Sequence, residues 1–312
     1  MSEHARPDLL PTAVLLVGST LWGMMWIPLK LLVAQGMDPV STTLVAYLAT
    51  AALTLPVAFA LARGRPLPLK GLVALAFFGG ASAIFFISAL MEGSVVRAMM
   101  LFFLIPAWGV IFGRIFLGER LGPARIVAVL LALAGAFLIL GPTQIVDARW
   151  QWADLFAVLA GLTLAVSNVI FRYLSDCPIP VKLFSMQLGS LVFAGLAVLL
   201  LGAKGLAGAA PPPAIAGAAL YGVTILLAAM VCTQFAVNRL PVGRVAILMT
   251  LELVVSVGSA TIVGGERPAP IEWTGGLLIL AAALVEARRR NDDPAGGGQP
   301  AQHAGKVRQH TP

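Results

Sequence analysis

The feature that most limits this chain is the recurrence of long apolar runs. Each is about 20 residues long, the length that crosses the hydrocarbon of a bilayer as a helix. Ten can be traced, over residues 10–34, 42–62, 72–91, 95–117, 125–140, 152–173, 183–201, 214–238, 244–264 and 273–286. Short connectors rich in turn formers separate them, such as Arg63-Gly64-Arg65-Pro66 and Pro211-Pro212-Pro213. None of these could hold a soluble domain. Of 312 residues, 59% are hydrophobic and 11% charged, whereas a soluble domain carries about 25% charged residues. A soluble enzyme, a nucleic-acid-binding domain and a disordered chain are therefore excluded. The expected fold is an all-α integral membrane protein with ten transmembrane helices.

The positive charges orient those helices. The net charge of +7 does not call for nucleic acid, because Lys and Arg collect in the cytoplasmic loops of membrane proteins. With the N-terminus inside, 16 of the 21 Lys and Arg fall on the inner side. The outer five are Lys30, Arg97, Arg149, Lys204 and Arg267. Both termini are expected in the cytoplasm, with residues 1–9 as a short tail and residues 291–312 as a disordered one, rich in Gly, Pro and Gln. The first apolar run is too long for a signal-peptide core and reads as a retained helix.

Scarce residue types exclude further chemistry. His4, His303 and His310 lie in the tails, and Cys177 and Cys232 stand far apart. No clustered ligands for zinc, haem or an iron–sulfur centre are present, and no disulfide framework is expected. No G-x-x-x-x-G-K-[ST] run occurs, so this chain has no P-loop for ATP. Neither a cofactor, a metal site nor a set of catalytic residues is expected.

The chain also repeats itself. Residues 118–138 and 265–285 share nine identities in 21 positions, among them Gly118/Gly265, Glu119/Glu266, Arg120/Arg267 and Pro123/Pro270. The same shift of 147 pairs Arg97 with Arg244. A weaker echo links the first and sixth runs through Gly18/Gly161 and Thr20/Thr163. Residues 10–141 and 152–287 thus read as two five-helix halves. Five is odd, so the second half enters the membrane from the opposite side. Such inverted repeats are typical of alternating-access transporters.

Several residues at these spacings resemble the EamA family of the drug/metabolite transporter superfamily. They are Leu21-Trp22-Gly23, Leu117-Gly118-Glu119-Arg120, Arg172, Gln187 and Gly265-Glu266. Where the family often has an Arg early in the second span, this chain has Val45-Ala46-Tyr47. Where it often has Glu-Pro in the ninth, this chain has Glu252-Leu253. The resemblance implies a bacterial inner-membrane transporter of amino acids and other small metabolites, more often an exporter, with no enzymatic activity and no organic cofactor.

Glu252 is the most informative residue. It lies near mid-membrane, where a lone carboxylate is expensive and faces a cavity or a partner. It could exchange a proton, pair with a substrate amine, or fix helix packing. The repeat places Ile105-Pro106 where the second half has Glu252-Leu253. A proline there either frees a carbonyl toward substrate or merely bends the helix. Ser19, Trp22, Trp26 and Lys30 are spaced to share one helical face. The two indoles could line a cavity, and Lys30 could snorkel or attract carboxylates. Tyr47, Ser88, Asn168, Gln187, Tyr221 and Gln234 each need a hydrogen-bond partner in hydrocarbon. They either tie helices together or form a polar cavity. Glu119/Arg120 and Glu266/Arg267 read as loop-capping or gate charges at opposite faces.

Three functions remain in view. The foremost is a secondary transporter of a small-molecule substrate, with protons as a candidate coupling ion. The second is a non-transporting membrane partner or sensor subunit. The third is an intramembrane lipid-modifying enzyme, which would need clustered catalytic groups that the spans lack.

Overall fold

The computed structural model describes residues 9–105, 107–108, 111–112, 115, 122–140, 151–201, 211–237, 239–240 and 242–292, and among them there is no strand. Helices are the expected answer to a solvent that offers the backbone no hydrogen bonds. In chain order they are α1 (Leu9–Met24), α2 (Trp26–Ala34), α3 (Pro39–Ala62), α4 (Leu69–Glu92), α5 (Val95–Phe102), α6 (Pro123–Leu140) and α7 (Trp152–Tyr173). There follow α8 (Ile179–Leu201), α9 (Pro212–Tyr221), a π turn (Gly222–Leu226), α10 (Leu227–Val237), α11 (Val242–Ile262) and α12 (Pro270–Asp292).

Six stretches are long and apolar enough to cross a bilayer: Leu9–Ala34, Pro39–Ala62, Leu69–Glu92, Trp152–Phe171, Ile179–Leu200 and Pro212–Ala236. Ile126–Ile139, Leu248–Ile262 and Pro270–Val285 are shorter apolar helices. Large side chains such as Phe59 (65%) and Leu199 (79%) stand exposed. On a soluble monomer such a surface would mark an interface. On these helices it marks the lipid. The chain is a multi-pass membrane protein.

Two runs that the sequence presents as single helices are broken, each four residues before a proline. The first ends as α1 at Met24 and restarts at Trp26. Pro28 has no N–H for the Met24 carbonyl. The fourth, expected over 95–117, is interrupted after Phe102, whose carbonyl would have needed an N–H from position 106. Pro106 itself lies outside the described residues. The Phe102 carbonyl instead packs against α7, where a Cβ on Gly161 would stand 2.7 Å from its oxygen. The Phe102 carbonyl thus faces the α7 backbone at Gly161.

Caps set the helix starts. Asp38 Oδ1 accepts from the amides of Val40 (2.9 Å) and Ser41 (3.0 Å), with Pro39 opening α3. Ser94 Oγ accepts from the Arg97 amide at 3.3 Å.

Small residues let the helices approach. A Cβ on Gly189 of α8 would run into the Ala76 backbone of α4, and one on Gly222 into the Ala46 backbone of α3. The Thr50 hydroxyl donates to the Gly222 carbonyl at 3.0 Å, where the π turn opens the helix. Helix α6 lies on α12, α4 on both α7 and α8, α3 on α8 and α9, and α1 on both α10 and α11.

Candidate functional site

Among the described residues three groups of polar side chains join helices. The first lies where α1 and α2 meet α10 and α11. At Gly23 the backbones nearly touch, since a Cβ there would stand 2.8 Å from the Glu252 carbonyl. The Ser256 hydroxyl donates to the Gly23 carbonyl at 2.9 Å, and the Trp26 indole N–H donates to Ser259 Oγ at 3.0 Å. These contacts advance in the same sense along both helices, so the helices run parallel in this register. Four residues back, the register sets Ser19 at the level of Glu252.

Glu252 is 6% exposed and Ser19 1%. Among the described residues the Ser19 hydroxyl has no hydrogen-bond partner, and no ion pair reaches Glu252. Trp22 is held from the other side, its indole N–H donating to Thr233 Oγ1 of α10 at 3.1 Å. Gln234 follows Thr233 and is half-buried. Trp22, Trp26 and Glu252 therefore belong to one junction, with Gln234 next to it in the chain on α10. The sequence did not single out Thr233 and Ser259, which fix the two indoles. No pattern marks a threonine or serine as an indole acceptor before the helices are paired.

The second group lies between α3, α8 and α9. Tyr47 lies on α3 facing Ser190 of α8, and Tyr221 ends α9. Tyr221 is 5% exposed, and its hydroxyl has no hydrogen-bond partner among the described residues. Gln187 is fully buried. Its Oε1 accepts from the Thr54 hydroxyl, and its Nε2 lies 3.9 Å from the sulfur of Met230 on α10. Gln187 thus ties three helices. Ser88 on α4, half-buried, and Asn168 on α7, exposed, join neither group.

The third group is charged and gathers helix ends at one face, the outer one in the orientation above. Arg97 on α5 grips Asp154 of α7 with two nitrogens, at 3.2 and 2.7 Å, and reaches Glu272 of α12 at 3.1 Å. The Arg97 and Asp154 side chains are 12% and 5% exposed. Glu266, after α11, caps α5: it accepts from the Ser94 hydroxyl (2.7 Å) and the amides of Val95 (2.9 Å) and Val96 (3.0 Å). A carboxylate suits the positive end of a helix dipole. Lys30 adds an ion pair to Glu266 at 3.6 Å and lies over the Trp26 ring, 5.5 Å from its centre. Lys30 therefore attracts a carboxylate of the protein itself. The loop-capping reading of Glu266 matches this geometry, whereas Glu119 and Arg120 lie outside the described residues. Asp154 and Glu272 were missed, although each is an acid in the first turn of an apolar helix.

A family model described as the EamA-like transporter family matches residues 10–141 and 151–286. No curated protein matches the chain. A solved crystal structure superposes with a TM-score of 0.61 at 19% identity, over 90% of this chain and 98% of that one. At that identity the likeness speaks for the fold alone.

Proposed function

The chain belongs to the EamA-like transporter family, and from that premise we propose that it is a secondary carrier of small metabolites, amino acids or related compounds, working by alternating access. The reading takes the chain as ten transmembrane helices in two inverted halves, 10–141 and 152–287, between cytoplasmic tails at 1–9 and 291–312. It sits in the bacterial inner membrane and exports its substrate. Energy comes from a gradient, with protons coupled through Glu252.

The observation that carries this reading is Glu252. A carboxyl group 6% exposed, with no ion pair among the described residues, at the meeting of three helices in a membrane bundle is expensive unless it binds something that comes and goes. The packing supports the inverted halves. The third helix of each half lies on the first helix of the other: α4 on α7, and α9–α10 with α1. The fifth helices meet reciprocally: a Cβ on Gly135 would stand 2.5 Å from the Gly275 carbonyl, and one on Gly275 2.6 Å from the Gly135 carbonyl. Two such halves can exchange conformations to open the centre to either side.

The test is counterflow in proteoliposomes containing only this protein. Vesicles loaded with an unlabelled amino-acid mixture should accumulate labelled tracer transiently. Accumulation no greater than in empty vesicles, for amino acids and then for other metabolite pools, would refute the carrier reading.

A further inference from the structure

The junction of α1, α10 and α11 carries information about the sign of the charge it accepts. Three Lys or Arg side chains are buried or half-buried among the described residues: Lys30, Arg97 and Lys182. Each is already engaged. Lys30 pairs with Glu266, and Arg97 with Asp154 and Glu272. The Lys182 ammonium donates to the carbonyls of Phe171 (3.2 Å) and Leu174 (3.1 Å) and lies 4.1 Å from the centre of the Phe171 ring. The acids divide differently. Asp154 and Glu272 hold Arg97, and Glu266 holds an amide pair, a hydroxyl and Lys30. Among the described residues Glu252 holds no ion pair.

Two groups on α1 complete the picture, Ser19 at the level of Glu252 and Trp22 one turn further along. Ser19 offers a buried hydroxyl with no partner, able to accept from an N–H. Trp22 keeps its N–H on Thr233, leaving its ring faces without a polar demand, and a ring face attracts a cation. A carboxylate, a spare hydroxyl and an indole together complement an ammonium group. Among the described residues no unengaged cation stands here to meet a substrate carboxylate.

We propose that this junction binds the protonated amine of its substrate, and that it selects solutes carrying an ammonium and no carboxylate over zwitterionic and anionic ones. Glu252 Oε atoms accept N–H bonds from the ammonium, Ser19 Oγ accepts another, and Trp22 packs on the adjoining carbon chain. The inference rests on the carrier reading and, within its substrate range, favours amines related to amino acids over the amino acids themselves. Charge selectivity follows from desolvation, because an ammonium leaving water finds a counter-charge here and a carboxylate finds a second negative charge.

Three probes with the same branched hydrocarbon body isolate the charged ends. They are 3-methylbutylamine (ammonium only), leucine (both) and 4-methylpentanoate (carboxylate only). Binding is read by titration calorimetry on the full chain in nanodiscs, for wild type, Glu252→Gln and Ser19→Ala. In wild type the amine should bind at least tenfold more tightly than the carboxylate, with leucine between. Glu252→Gln should bring that ratio close to one, and Ser19→Ala should lower it several-fold while leaving the acid in place. Equal affinity for amine and carboxylate in wild type overturns the proposal. So does an unchanged ratio in Glu252→Gln, or no binding of the amine at millimolar concentration. Counterflow with the same probes separates the two readings. Glu252-dependent amine binding without counterflow keeps the site and removes the carrier. Counterflow of leucine or the carboxylate that ignores Glu252 keeps the carrier and removes the site.

Discussion

Arg97→Met removes the cation on which three helix ends converge. The substitution keeps much of the side-chain volume and leaves the Asp154 carboxylate 5% exposed with its bidentate partner gone. Breaking a buried pair in this way costs about 3–5 kcal/mol. Glu272, at 15% exposed, also loses its partner but can turn toward water, so it adds little. The network sits at the end of the bundle rather than at its centre, so the lower part of that range applies. Taking about 3 kcal/mol, and tenfold per 1.4 kcal/mol, the packed arrangement of this face loses roughly a hundredfold in population against any arrangement where Asp154 is hydrated. Ala153 is 4% exposed beside Asp154, and Gly93 packs on it. A cysteine at position 153, in a background lacking Cys177 and Cys232, therefore reports opening. Labelling by a membrane-impermeant maleimide should rise at least tenfold in Arg97→Met and much less in Arg97→Lys. Labelling within twofold of the parent, with an unchanged melting temperature, would mean that the network does not hold the face closed.

Three further outcomes follow from particular contacts. Gly189→Ala drives a methyl group into the Ala76 backbone, so it should cost at least about 1–3 kcal/mol and lower the yield of monodisperse protein; normal yield and melting temperature would argue against that packing. Trp26→Phe removes the bond to Ser259 at 3.0 Å and should lower stability by about 1 kcal/mol, read as a melting shift; removing Ser259 as well should add little, and full additivity would refute the contact. Cys177, 6% exposed in the α7–α8 connection, has its thiol pushed above its ordinary range by burial, offset in part by the Lys182 ammonium. The thiolate reacts, so its labelling rate should climb about tenfold per pH unit from pH 7 toward 9, whereas a plateau near pH 8 would contradict the burial.

The fold class was legible because membrane helices announce themselves by length and apolarity. Helix breaks were half legible. Pro28 and Pro106 stand in the sequence, but a proline does not say whether its helix bends or stops. Phe102 shows how tertiary packing decides, since its freed carbonyl meets Gly161. Glu252 was legible because one acid in an apolar run is conspicuous. The partners of Trp22 and Trp26 were not, since Thr233 and Ser259 become acceptors only once α1 and α2 lie on α10 and α11. Arg97 with Asp154 and Glu272 was hidden for the same reason: its members stand 57 and 175 residues apart in the chain.

The central claim is a gradient-driven carrier whose coupling group is Glu252. Its most direct measurement is solute flux into proteoliposomes containing only this protein, under an imposed pH gradient, for wild type and Glu252→Gln. The account predicts gradient-dependent flux in wild type and loss of that dependence in the variant. Equal gradient-driven flux in both proteins would contradict it.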